Sequence, residues 1–173
     1  MFKHASVVAV LALAGLGAAD VLACGDKFLV PGRGPRFMTA ADRGSATVLL
    51  YAVPGSPLHA ALAKLSVEST LRKAGYRPMP VSTEAAFAAA LRTGTWDVAI
   101  VDLSDGPLVV SRLATAAAPI LLPVAYDTSD EVMKNAKQRY PQVLRSPKKN
   151  QAFLDAIDKI ILARARTRAK NPV

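Results

Sequence analysis

At 173 residues, with a formal charge of +9 and a pI near 10, the chain is long enough for one domain with a substantial core and too short for two. A single cysteine, Cys24, excludes an internal disulfide, and since His4 lies in a stretch expected to be cleaved off, His59 stands alone, with no histidine cluster for a metal or a catalytic triad. The basic balance favours acidic partners such as phospholipid head groups, anionic glycans or an acidic protein, whereas no basic helix with interleaved aromatics and no nucleic-acid motif is present.

The first element is an export signal, residues 1–23. Met1-Phe2-Lys3-His4 supplies a positive start, Ala5 to Ala19 an uncharged apolar run, and Val21-Leu22-Ala23 a cleavage region. The run is too short for a spanning helix, so no transmembrane helix is expected in the mature chain. Val21-Leu22-Ala23-Cys24-Gly25 resembles a bacterial lipobox, with leucine a less usual residue at its second position. The resemblance implies cleavage before Cys24 and diacylglycerol on its thiol; the alternative is ordinary cleavage after Ala23, leaving a free thiol. Lipid together with basic charge would give two-signal anchoring. Losing residues 1–23 removes Lys3 and Asp20, so the exported part keeps +9. The expected location is the cell envelope, in the periplasm or held to a membrane by lipid.

Residues 24–45 read as an N-terminal tether, interrupted by Gly25, Pro31, Gly32, Gly34 and Pro35, with Phe28 and Phe37 as apolar anchor points. Gly32-Arg33-Gly34 neither follows a strand nor opens a helix, which argues against a phosphate-cradling loop.

Residues 46–166 read as one α/β domain. Ala46 to Val53 is a strand apolar on both faces, ended by Pro54-Gly55. Ser56 is an N-cap with Pro57 behind it, and Leu58, Leu62, Leu65 and Leu71 give a broken helical stripe to Ala74, closed by Gly75. Tyr76 to Val81 is a short strand that Pro78 and Pro80 assign to a sheet edge. Ser82 or Thr83 caps a helix reaching Gly94. Trp96 to Asp102 is a buried strand that delivers a carboxylate at its C-terminal end, where ligands sit in open α/β sheets. Ser104 to Pro107 forms a loop and helix start, and Leu108 to Ala118 a third helix. Pro119 to Ala125 is a fourth strand, and Ser129 caps a helix with Asp130 and Glu131 in its first turn, running to Tyr140. Pro141 to Leu144 is a fifth strand, Ser146 to Lys149 a loop, and Phe153, Ile157, Ile160 and Ile161 stripe a final helix from Asn150. Residues 167–173 complete a basic C-terminal tail that begins with Arg164 and Arg166 on that helix. Five strands alternating with five helices predict a three-layer, doubly wound parallel sheet.

In this layout, Asp97-Val98-Ala99-Ile100-Val101-Asp102-Leu103 resembles the third strand of the receiver domain of bacterial response regulators, a flavodoxin-like fold. The resemblance implies that Asp102 stands at the phospho-acceptor position. It also implies two acids at the end of the first strand to hold Mg²⁺, where Tyr51-Ala52-Val53-Pro54 has none. The Thr or Ser of strand four falls near Val124. The Lys before Pro falls on Ser146, with Lys148 displaced by two. Without these groups, negative charge transferred onto a carboxylate has little to neutralise it, and Asp102 and Asp105 alone make a poor Mg²⁺ site. The expectation is a non-catalytic, cofactor-free, exported pseudo-receiver. It would bind an envelope protein or an anionic membrane surface, through the face of its fourth helix, fifth strand and fifth helix around Lys137, Arg139 and Lys148. Two alternatives stand beside it. One is a binder or enzyme for a small anion, using the crevice above strands one and three, with Gly55 and Ser56 at a helix N-terminus, Asp102 or Asp105 as acid or base, and Ser146 and Lys148 nearby. The other is a phosphorylatable receiver.

Overall fold

The computed structural model describes residues 46–112 and 118–170; the expected export signal, Cys24, the expected tether and residues 113–117 and 171–173 lie outside the described residues. In chain order the elements are β1 (Thr47–Tyr51), α1 (Pro57–Lys64), α2 (Val67–Lys73), β2 (Arg77–Val81), α3 (Glu84–Thr93), β3 (Val98–Asp102), a 3₁₀ turn (Leu103–Asp105), α4 (Gly106–Arg112), β4 (Ile120–Ala125), α5 (Asp130–Arg139), β5 (Leu144–Arg145) and α6 (Gln151–Lys170). The strands form one parallel sheet in the order β2-β1-β3-β4-β5. Among the described residues, no helix is long and apolar enough to cross a membrane.

The unbroken apolar runs of β1, β3 and β4 follow from burial on both faces. Val48, Leu50, Val98, Ile100, Leu122 and Val124 pack on one side against Leu58, Leu71, Phe153 and Ile157. Leu49, Tyr51, Ala99 and Val101 pack on the other against Phe87, Ala90 and Val109. Each such aliphatic side chain contributes about 1.5–3 kcal/mol when fully buried. Ser56, Thr83 and Ser129 cap α1, α3 and α5, their hydroxyl oxygens accepting from the N–H groups of His59, Ala86 and Val132, each cap worth about 1 kcal/mol.

Three local expectations change. The first helix is two helices, parted at Ser66, whose φ of 49° is left-handed. A continuous helix advances about 100° per residue, which would put Val67 about 140° round from Leu62 and out of the core; the break re-phases the chain so that Leu58, Val67 and Leu71 are all buried. The fifth strand is only Leu144–Arg145, later and shorter than Pro141 to Leu144. Ile120 donates to Asp97 on the β3 side, whereas the Ala125 carbonyl faces β5 and accepts from Ser146 at 2.8 Å. Alternation therefore turns Pro123 toward β5, where its missing N–H stops the ladder from extending below Val124. Finally, α6 runs without interruption to Lys170, so residue 166 marks no structural boundary.

The edge position of β2 holds. Arg77 donates to Ala46 and the Val81 carbonyl accepts from Ala52, so residues 77, 79 and 81 face β1 and Pro78 and Pro80 face outward. The free edge thus offers no N–H from those two positions.

Candidate functional site

The carboxyl ends of the central strands bring together Tyr51, Ala52, Asp102, Val124 and Ser146, with Asp105 on the turn above β3. Asp102 ends β3 because its side chain caps the turn that leaves the strand: Oδ1 accepts from the Ser104 N–H at 3.0 Å and from the Ser104 hydroxyl at 2.8 Å. Tethered this way, the half-buried carboxylate starts the Leu103–Asp105 turn.

Asp105 sits nearby, and burial, followed by the charge of Asp102, pushes its carboxyl above the ordinary range. Tyr51 is buried against Phe87, with ring centroids 4.8 Å apart. Burial first, then Asp105 and Glu84, raise its phenol. At the end of β4, burial and then Asp102 push the Tyr126 phenol up to about 12. The Tyr126 hydroxyl is buried and has no hydrogen-bond partner among the described residues. This edge is therefore electronegative, and each phenol in it is held protonated.

The positions that a receiver uses for its chemistry are filled otherwise. Tyr51 and Ala52, both buried, stand where two acids would hold Mg²⁺, and Val124 is fully buried apolar core. Ser146 is exposed at a left-handed φ of 39°, its N–H donating to Ala125. Lys148 is exposed and forms no ion pair with Asp102 or Asp105. Among the described residues no three His, Cys, Asp or Glu side chains are placed to hold a metal ion. The residues present do not fit the Mg²⁺ of a receiver.

Gly55, at φ 85°, and Ser56 lead into α1 as expected, but the Ser56 hydroxyl is committed to the cap. Asp102 and Asp105 bring negative charge to this crevice, while Arg145, Lys148 and Lys149 stand on the loops of the same edge.

A groove of about 900 Å³ opens elsewhere. It runs along the β2 edge between α1, α2 and α3, lined by His59, Leu62, Arg72, Met79, Pro80 and Ala86, with Asp102 and Asp105 absent from its walls. On its wall Arg72 pairs with Glu68 at 2.6 Å. Sequence reasoning missed it; the interruption of the leucine stripe after Leu65, beside an edge strand with two prolines, was the available signal.

No protein-family model matches the chain, and no curated protein sequence matches it. Among solved structures, the chain is similar to the signal receiver domain of a response regulator from Bermanella marisrubri, with a TM-score of 0.53 and 21% identity over 66% of this chain and 97% of that one. At that identity the likeness establishes the fold: a receiver-like, flavodoxin-like α/β domain.

Proposed function

We propose that this protein is a non-catalytic receiver-like module of the bacterial cell envelope, exported, tethered through lipid on Cys24, and recognising a partner protein without a phosphorylation cycle. The observation that carries this reading is the make-up of the carboxyl edge: Tyr51, Ala52, Val124 and Ser146 replace the acids, hydroxyl and lysine that a receiver's chemistry needs. Phosphoryl transfer to Asp102 would place dianionic charge beside Asp105 with no cation held there to neutralise it.

The partner surface is assigned by likeness to receivers, which signal through the face made here by α5, β5 and α6. Lys137, Arg139 and Lys148 give that face a cationic rim. An acidic protein surface fits that rim.

Two measurements test the reading. Incubation with a small acyl-phosphate donor and Mg²⁺ is expected to leave the intact mass unchanged; a Mg²⁺-dependent phosphoryl adduct absent from Asp102→Asn would sink it. Protein from the membrane fraction of a bacterial host is expected to carry a diacylglycerol-sized gain that Cys24→Ser loses. An unmodified mass starting at Cys24 would remove the anchor.

A further inference from the structure

Charge in the described domain is divided along the strand axis. The carboxyl edge of the sheet and its loops hold Glu84, Asp102, Asp105, Asp127, Asp130 and Glu131, against Arg145, Lys148 and Lys149. The opposite, amino edge is basic. Lys73 ends α2, Arg77 opens β2 opposite Thr47, and Arg92 lies three residues before Thr95, whose carbonyl accepts from the Thr47 hydroxyl at 2.8 Å. Arg164 of α6 reaches Asp97 at 3.3 Å, which brings the Arg166 end of that helix to the same edge.

The acids at this edge are already engaged. Asp97 is held by Thr47 and Arg164, and Asp158 by the Tyr76 hydroxyl. Lys73, Arg77, Arg92 and Arg166 are exposed and in no ion pair among the described residues. Helix dipoles favour Lys73 and Arg92 in their last turns, but Arg77 lies on a strand, where no dipole answers it.

The described residues begin at this edge with Ala46, whose carbonyl accepts from Arg77 at 3.0 Å. Cys24 is roughly twenty residues away along the chain, at most about 75 Å when fully extended. A short tether raises the local concentration of a weak electrostatic contact.

We infer that the amino edge, centred on Lys73, Arg77, Arg92 and Arg166, is a membrane-docking surface for anionic phospholipid head groups. Docked so, the domain turns Asp102 and the strand ends away from the bilayer. This orientation rests on the envelope reading for its setting, while the lipid affinity itself does not depend on Cys24 being modified.

The test uses the full chain carrying Cys24→Ser, sedimented with vesicles of phosphatidylglycerol in phosphatidylcholine and with pure phosphatidylcholine vesicles, the second giving the baseline for any apolar insertion. At low salt, binding to the anionic vesicles is expected to exceed that baseline at least about tenfold and to fall as salt screens it. The triple variant Lys73→Glu, Arg77→Glu, Arg92→Glu is expected to bring binding to the baseline. Arg145→Glu, Lys148→Glu, Lys149→Glu, the same change in net charge placed at the carboxyl edge, is expected to retain it. Should the first triple variant fail to unfold cooperatively, Lys73→Gln, Arg77→Gln, Arg92→Gln carries the same expectation in weaker form. Equal binding to both vesicle types, or equal losses in the two triple variants, would overturn the inference. Retention on heparin without preference for anionic vesicles would overturn it too, assigning the edge to an acidic polymer. Absence of lipid on wild-type Cys24 would remove the anchor alone, and a phosphoryl adduct on Asp102 would sink the non-catalytic reading alone; neither alters this vesicle assay.

Discussion

Thr47 and Asp97, fifty residues apart, bind each other's backbone: the Thr47 N–H donates to Asp97 Oδ2 at 3.0 Å, and the Asp97 N–H donates to the Thr47 carbonyl at 3.1 Å. The Thr47 hydroxyl, whose proton goes to the nearer Thr95 carbonyl at 2.8 Å, lies 3.2 Å from the same carboxylate oxygen. The carboxylate thereby fixes the starting register of the central pair, β1 and β3. Removing it leaves partly buried donors unpaired, so Asp97→Ala is expected to cost about 2–3 kcal/mol in urea unfolding. Arg164→Ala is expected to cost less, about 0.5–1 kcal/mol, because that ion pair is long and partly solvated.

Asp102 is expected to behave as a cap. Asp102→Ala deprives the Ser104 N–H and hydroxyl of their acceptor and should lower stability by about 1 kcal/mol. Asp102→Asn retains a side-chain oxygen that can accept the same bonds and should lose less than half as much. Equilibrium unfolding of the two variants reads the difference.

Asp105 gives stability a pH dependence of defined sign. Its folded pKa lies above the ordinary 3.8, through burial and then Asp102, so the folded state binds its proton more tightly than the unfolded chain does. The contribution is present below the unfolded pKa and is lost as pH rises through the folded one. Asp105→Asn should therefore raise the urea midpoint at about pH 7 and leave it unchanged below about pH 3.5. Asp102→Asn removes the neighbouring charge and should lessen that gain in the double variant, as a thermodynamic cycle would measure.

The features legible in the sequence were local or periodic. Continuous apolar runs marked β1, β3 and β4; Ser56, the pair Ser82 and Thr83, and Ser129 marked helix starts, the structure choosing Thr83 of the pair; Pro78 and Pro80 placed β2 at the edge. The features it concealed were set by partners distant in the chain. The β5 ladder is cut short by Pro123 on the adjacent strand, and the Ser66 break comes from the core's demand for Val67 and Leu71. At the candidate site, Asp102 was legible as a strand-end acid beside missing accessory groups. The buried Tyr126 hydroxyl and the β2 groove depend on side-chain packing across elements, which no single stretch encodes.

The β2 edge carries the last expectation. Its outward positions are both proline, so a second strand finds no N–H there; of the outward carbonyls, Pro78's is already approached by Arg72 Nη2 at 3.4 Å. Exposed strand edges template association, and proline blunts them. Pro78 is buried, whereas Pro80 and Met79, the latter 43% exposed, are open. Pro80→Val therefore restores an outward donor on the exposed part of this edge. The variant should fold, since that nitrogen does not face β1, yet light scattering should show it self-associating at concentrations where the parent stays monodisperse. If the variant stays as monodisperse as the parent, Pro80 is not what guards this edge, and the groove side chains around Met79 and Arg72 must be blocking the approach instead.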